Sequence, residues 1–230
     1  MCGRFLSLTQ PEQLAEQFEV DEVRTEPLPK RWNVAPTQDV YAIIDKDGTR
    51  RLGTLRWGFV PYWTKQLKGA RQPINARIET VSTTKMFGDA FRRHRCLLPA
   101  DGFYEWQSRP DQDRKQPYHL ADPDSCPLAF AGIWTVWRDP KDPDADPVFS
   151  TAIVTTEAKG QMRELHDRMP VMLPRRLWDD WLDASEEEAP HLVDAVAALG
   201  APRLTATPIV DRVNNVRNEG PELLERAAED

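Results

Sequence analysis

Twenty prolines spread over 230 residues constrain this chain more than any other feature of its sequence. Proline fixes its own φ, offers no backbone N–H and pushes the residue before it out of the α region. That density argues against long regular elements and for short ones joined at tight corners. Between the prolines lie runs rich in β-branched and aromatic side chains: Val40–Ile44, Leu52–Phe59, Cys96–Leu98, Gly102–Trp106, Leu128–Trp137 and Val148–Thr155. These read as strands. Asp47-Gly48 is a two-residue turn signal between the first two, and Asp139–Pro147, rich in proline and aspartate, is a loop. Helical patterns occupy residues 10–19, where Leu14 and Phe18 recur at i, i+4 behind Thr9 and Pro11, and the later segments Arg175–Ala184 and Pro190–Leu199. Gly200 stands in the C-terminal cap position of the last. Strands fill the middle and helices flank them without regular alternation. The expected fold is α+β, one domain with a largely antiparallel or mixed sheet.

Composition narrows the class. With 40% hydrophobic and 29% charged residues the chain matches an ordinary soluble globular protein. No run approaches the roughly 18 apolar residues of a membrane helix, and no charged-then-apolar leader opens the chain, so export is not expected. Three cysteines are an odd count for a disulfide framework, which makes a reducing, cytoplasmic setting the expectation. The net charge of −7 argues against an indiscriminate nucleic-acid binder. The charge is uneven, however. Between Arg50 and Leu98 stand eleven basic residues against Glu79 and Asp89, a local charge of +9. Trp57, Phe59, Tyr62 and Trp63 interleave with these cations, and aromatic platforms among cations suit single-stranded nucleic acid. The alternative is a solvated basic face beside core tryptophans.

The chain begins Met1-Cys2-Gly3-Arg4-Phe5. A small second residue generally permits removal of the initiator methionine, which leaves Cys2 with a free α-amine and a thiol. Their ordinary pKa values, about 7.7–8.0 and about 8.5, leave each a usable nucleophilic fraction near neutrality. Such a 1,2-aminothiol condenses with an aldehyde to an imine, and the thiol closes on it to a five-membered thiazolidine. Alternatively the amine serves as base for its own thiol, as in N-terminal-nucleophile hydrolases.

Further motifs run through the chain in order: Trp32-Asn33-Val34-Ala35-Pro36-Thr37-Gln38, Arg56-Trp57-Gly58-Phe59-Val60-Pro61 with Trp63, Ile74-Asn75-Ala76-Arg77, and Cys96 through Trp106. Leu165-His166-Asp167-Arg168-Met169-Pro170-Val171 follows, then Val213-Asn214 before Pro221-Glu222-Leu223. With the amino terminus, this set resembles the SRAP family of SOS response-associated peptidase proteins over essentially the whole chain. The resemblance implies a single domain over residues 1–230, built around a curved, barrel-like mixed or antiparallel β-structure flanked by helices. It implies a sensor and shield of abasic sites in single-stranded DNA, with Cys2 forming a covalent thiazolidine crosslink after Met1 is removed. AP-lyase chemistry through a Schiff base and β-elimination, and peptidase-type removal of Met1, belong to the same expectation.

On the residues themselves, Asn75 is either a neutral amide for a phosphate, sugar oxygen or thiol, or a turn amide bonded to its own backbone. Glu105 lies between Tyr104 and Trp106 in a strand, so alternation turns it away from both. It is either a carboxyl of raised pKa that moves protons or a glutamate paired with an arginine. An imidazole's unperturbed pKa near 6.5 suits acid–base work, which makes His166 a candidate; His94, His119 and His191 read as structural or exposed. Cys2, Asn75, Glu105 and His166 are the candidate catalytic residues. For DNA binding the resemblance points to Arg4, Trp57, Pro61, Trp63 and Arg77, joined by Lys65, Lys68 and Arg71, although core packing is the alternative for either tryptophan. No Cys-x-x-Cys or His-x-x-x-His spacing and no phosphate loop is present, so neither metal nor small-molecule cofactor is expected. The expected partner is abasic single-stranded DNA, bound by a cytoplasmic monomer that is nucleoid-associated when on DNA. Three positions depart from the family pattern: Trp32, Ile78, and Pro208-Ile209-Val210, which lacks a hydroxyl. Two other readings stay open, an N-terminal-nucleophile peptidase or amidohydrolase and a non-catalytic single-strand binder.

Overall fold

A computed structural model describes residues 2–109 and 114–228. The chain runs through β1 (Phe5–Ser7), α1 (Pro11–Gln17), β2 (Glu22–Val23), β3 (Arg31–Val34), β4 (Asp39–Lys46), β5 (Thr49–Trp57) and β6 (Asn75–Arg77). Two short helices, α2 (Ile78–Val81) and α3 (Gly88–Arg93), precede β7 (Arg95–Ala100), β8 (Gly102–Gln107), β9 (Gln116–Ala121), β10 (Leu128–Trp137) and β11 (Val148–Glu157). Last come β12 (Arg168–Pro170), α4 (Trp178–Asp183), α5 (His191–Ala197) and β13 (Thr205–Pro208). Among the described residues no helix is long and apolar enough to cross a membrane.

Local chemistry explains most boundaries. Pro11 opens α1, where its missing N–H costs nothing. Asp47 and Gly48, both at positive φ (58° and 73°), make the tight turn between β4 and β5. The helix expected over Arg175–Ala184 is split: Arg175–Leu177 form a 3₁₀ turn before α4. Among the described residues seven strands, β1, β2, β3, β6, β9, β12 and β13, fall outside the runs expected from the sequence. β9 contains Pro117 and β13 ends on Pro208, yet both pair, with β13 lying at a sheet edge where a proline is tolerated.

Two sheets form. One has the order β13-β9-β8-β1-β3, with every pairing antiparallel. The other runs β12-β11-β10-β7-β4-β5-β2. In it β5 also pairs in parallel with β11, setting Arg56 opposite Ser150 and Trp57 opposite Thr151. That pairing joins β11, β10, β7, β4 and β5 into a ring, the barrel-like structure expected of an α+β fold of this kind. β6 adds itself to β11 in parallel, with Asn75 opposite Ile153.

Alternation along these strands divides the core. Tyr41, Ile43, Leu97, Ala131, Ile133 and Val154 pack with the helices. Val40, Ala42, Cys96, Leu98, Phe130 and Ile153 pack with Cys2, Phe5 and Phe103 at the seam with the second sheet. On that sheet's far side, Leu6, Tyr104, Ile209 and Val213 hold the C-terminal segment.

The basic window does not stay together. Arg51 pairs with Glu22 at 2.9 Å, Arg93 with Glu186 at 2.8 Å, and Arg50 with Asp179. Arg95 is buried, and its guanidinium caps the carbonyls of Phe91, Arg92, Trp181 and Ala184 at the ends of α3 and α4. The exposed remainder includes Lys65, Lys68, Arg71 and Arg77.

Candidate active site

Cys2 enters the seam between the sheets because the strand that follows it is pinned on both edges. β1 pairs with β3 and β8, and the Tyr104 N–H donates to the Arg4 carbonyl at 3.0 Å. Cys2 is fully buried, and its Sγ lies 3.9 Å from the Arg4 carbonyl oxygen. Burial, and then the charge of Glu105, push the thiol well above its ordinary pKa. The sulfur is therefore a neutral thiol here and needs a base to become a nucleophile.

Asn75 supplies the next contact. Its Nδ2 donates to the Cys2 carbonyl at 3.0 Å, while its Oδ1 is buried without a hydrogen-bond partner among the described residues. A buried acceptor left open is costly unless a ligand or a rearranged group fills it. It lies on the amide that grips the Cys2 backbone.

Glu105 is 2% exposed on β8. Tyr104 turns to the opposite face, as alternation requires, where its hydroxyl donates to the Trp32 carbonyl at 2.7 Å. Burial raises the Glu105 carboxyl above the usual carboxylate range, against the lowering influence of His166 and Lys115. A carboxylate with such a pKa is a better base than an exposed one. His166 comes from the turn between the 3₁₀ helix Gly160–Glu164 and β12. Its Nε2 is 3.8 Å from Glu105 Oε1, and its Nδ1 is 2.5 Å from Asp167 Oδ1 and accepts the Arg168 N–H at 3.0 Å. The four candidate catalytic residues thus meet, although they come from the amino terminus, β6, β8 and a turn 164 residues after Cys2.

The candidate DNA residues divide. Trp57 is a correction: it is 0% exposed, packs edge-on against Phe5 at 5.1 Å and donates its indole N–H to the Ile74 carbonyl. A ring so enclosed offers no face to a base. Pro61 is also buried and serves the corner instead, its carbonyl accepting the Thr64 N–H at 3.0 Å. Trp63 is 40% exposed, edge-on to the exposed Tyr62 at 4.8 Å, with Lys65, Lys68 and Arg71 just beyond. Arg4 is half-buried and spends its Nη1 on Asn33 Oδ1 and the Val213 carbonyl, which ties the amino terminus to the C-terminal segment. Arg77 is exposed and lines a crevice of about 450 Å³ with Arg163, Asp167 and Arg168.

Sequence reasoning passed over Trp106. It is half-buried, donates to Asn214 Oδ1 at 2.6 Å, and walls a groove of about 580 Å³ with Arg114, Lys115 and Arg212. Its adjacency to Glu105 is the signal that marks it: alternation places it on the other face, yet at the same end of β8. Among the described residues no three His, Cys, Asp or Glu side chains gather as metal ligands would.

Fold and site together define an α+β protein whose second residue, a cysteine, sits among an amide, a buried carboxyl and an imidazole. The family profile of the SOS response associated peptidase (SRAP) proteins matches residues 1–216. The chain belongs to that family. It is 35% identical over 226 residues to the abasic site processing protein YoqW of Bacillus subtilis, covering 98% of this chain and 99% of that one. It is 32% identical to the abasic site processing protein YedK of Escherichia coli, with the same coverage. A solved structure from Bacteroides thetaiotaomicron superposes with a TM-score of 0.80 over 99% of this chain and 100% of that one; at 20% identity it shows the fold alone.

Proposed function

We propose that this protein captures abasic sites in single-stranded DNA as a covalent adduct of Cys2, acting as one domain over residues 1–230. The observation that carries the reading is Asn75: its amide holds the Cys2 carbonyl while its buried oxygen has no hydrogen-bond partner among the described residues, beside a carboxyl of raised pKa. Once Met1 is removed, the Cys2 amine is the group such an acceptor would orient.

The chemistry follows from the atoms. His166 donates a proton to the sugar ring oxygen while the C1′ hydroxyl gives its proton to water, and the hemiacetal opens to the C1′ aldehyde. The amine adds to C1′, and the carbinolamine loses water to form an imine. Glu105 takes the thiol proton, sulfur adds to C1′, and the proton passes to nitrogen. One water is lost overall and a thiazolidine results. The raised thiol pKa supports this order, because the amine attacks before the sulfur is activated. If the thiol is slow to close, removal of a C2′ proton from the imine expels the 3′ phosphate, which is AP-lyase chemistry. The exposed Trp63, Lys65, Lys68, Arg71 and Arg77 are the surface on which a strand would stack and pair its phosphates. The protein acts as a cytoplasmic monomer, nucleoid-associated when on DNA.

Intact mass before and after incubation with an abasic oligonucleotide tests the reading. The expected product is protein lacking Met1 plus the oligonucleotide minus one water, absent with Cys2→Ala. An undiminished adduct in the alanine variant would overturn it, as would turnover of peptide amides with no DNA adduct.

A further inference from the structure

His166 Nδ1 has two suitors. The Arg168 amide N–H reaches it at 3.0 Å, and Asp167 Oδ1 lies 2.5 Å away. One nitrogen cannot serve both at once. When it accepts from Arg168 it carries no proton, and a neutral ring then bears its proton on Nε2, toward Glu105. When it donates to Asp167 it carries the proton, and Nε2 is left either as a free base or as the acid of an imidazolium. The Arg168 arm is held rigidly: its guanidinium makes a two-pronged pair with Glu79 at 2.9 Å and 2.9 Å and donates to the Thr155 carbonyl at 2.8 Å. The Asp167 side chain is 82% exposed, and its polar contact among the described residues is with the ring.

We infer that Asp167 is a positioning residue that selects the His166 tautomer whose Nε2 can exchange a proton with substrate, in competition with the Arg168 amide. This rests on the adduct chemistry proposed above. In that chemistry the imidazolium loses its Nε2 proton to the sugar oxygen and keeps the Nδ1 proton, which Asp167 holds. Without Asp167, the Arg168 N–H claims Nδ1, the neutral ring is held with its proton on Nε2, and the imidazolium that serves as the acid loses the acceptor for its Nδ1 proton. The charged groups around the ring are Glu105 from β8, with Lys115 acting on it, Asp167 itself, and Arg168, whose charge is engaged by Glu79; Arg77 of β6, Glu157 of β11 and Arg163 of the 3₁₀ helix line the crevice beside Asp167.

The test compares Asp167→Asn and Asp167→Glu with the wild-type full chain, following adduct formation on an abasic oligonucleotide from pH 5 to 9, with affinity for an intact strand measured alongside. Asn is expected to slow capture on the order of tenfold and to alter its pH profile. Glu is expected to restore most of the rate. Strand affinity should hold or rise, because a negative charge has gone, so a fall in capture cannot be ascribed to weaker binding. The ring is also read directly: ¹⁵N shifts of His166 in the DNA-free protein should move toward the Nε2–H tautomer in the Asn variant. Wild-type rate, pH profile and ring shifts in Asp167→Asn would overturn the inference while leaving wild-type capture intact. A wild-type protein forming no adduct sinks the function instead, and the ring shifts still judge the positioning role.

Discussion

Two tryptophans six residues apart show how much a single position decides. Trp57 and Trp63 flank the same motif, yet one is enclosed at 0% exposure and the other stands 40% exposed beside Tyr62. Trp57→Ala should cost about 3–5 kcal/mol of stability, the usual range for emptying a buried aromatic site, measured by denaturant unfolding. Trp63→Ala should leave stability within about 0.5 kcal/mol. On the proposed function it weakens single-strand binding by about 1–3 kcal/mol, the worth of one stacked base. Equal effects of the two on binding, at equal stability, would return Trp57 to the DNA surface.

Individual strands carry devices of their own. In the β8–β9 pair, Tyr104 faces His119, whose Nε2 is buried without a hydrogen-bond partner among the described residues. A Cβ added to Gly102 would lie 2.5 Å from that nitrogen and 2.9 Å from the Leu120 carbonyl oxygen, so a side chain there would push the two strands apart. Burial holds His119 down to about 4 from an ordinary 6.5. Its folded pKa is depressed, so the unfolded chain takes the proton first, and stability is lost as pH falls from about 6.5 toward 4. The loss attributable to this ring reaches about 3 kcal/mol, at about 1.4 kcal/mol per unit. Urea unfolding at pH 7 and pH 4.5, against His119→Gln, checks it: the wild type should lose more stability than the variant over that interval. The β4–β5 turn is the second device. Gly48→Ala places a side chain at φ 73° and should cost about 1 kcal/mol by thermal unfolding, while equal stability would mean that the turn relaxes elsewhere.

Across the whole molecule, charge is sorted by folding. Arg50, Arg51, Arg93 and Arg95 are consumed by acids and helix-end carbonyls, while Lys65, Lys68, Arg71 and Arg77 remain exposed. If the four cations each meet a phosphate, the log–log dependence of single-strand affinity on salt has a slope of about −3, from roughly −0.7 per contact. Replacing all four by glutamine should flatten it almost completely. Titrations with an intact oligonucleotide at several salt concentrations decide this, and an unchanged slope would move the strand elsewhere, the Trp106 groove being the next surface to test.

Much of the architecture was legible in the chain, because local chemistry leaves local marks. The Leu128–Trp137 strand, the Asp47-Gly48 turn and the Pro11 helix start each follow from side chains within a few residues of one another. The positions of the four candidate catalytic residues were legible only through motifs; nothing in spacing or composition brings Cys2 to Glu105. Tertiary structure alone decided that convergence, together with the ring closed by β5 on β11, the burial of Trp57 and Pro61, and the strands around Pro117 and Pro208. The physical reason is shared: exposure, parallel pairing and pKa depend on neighbours far away in sequence, and a residue's own identity carries no record of which neighbours the fold will bring.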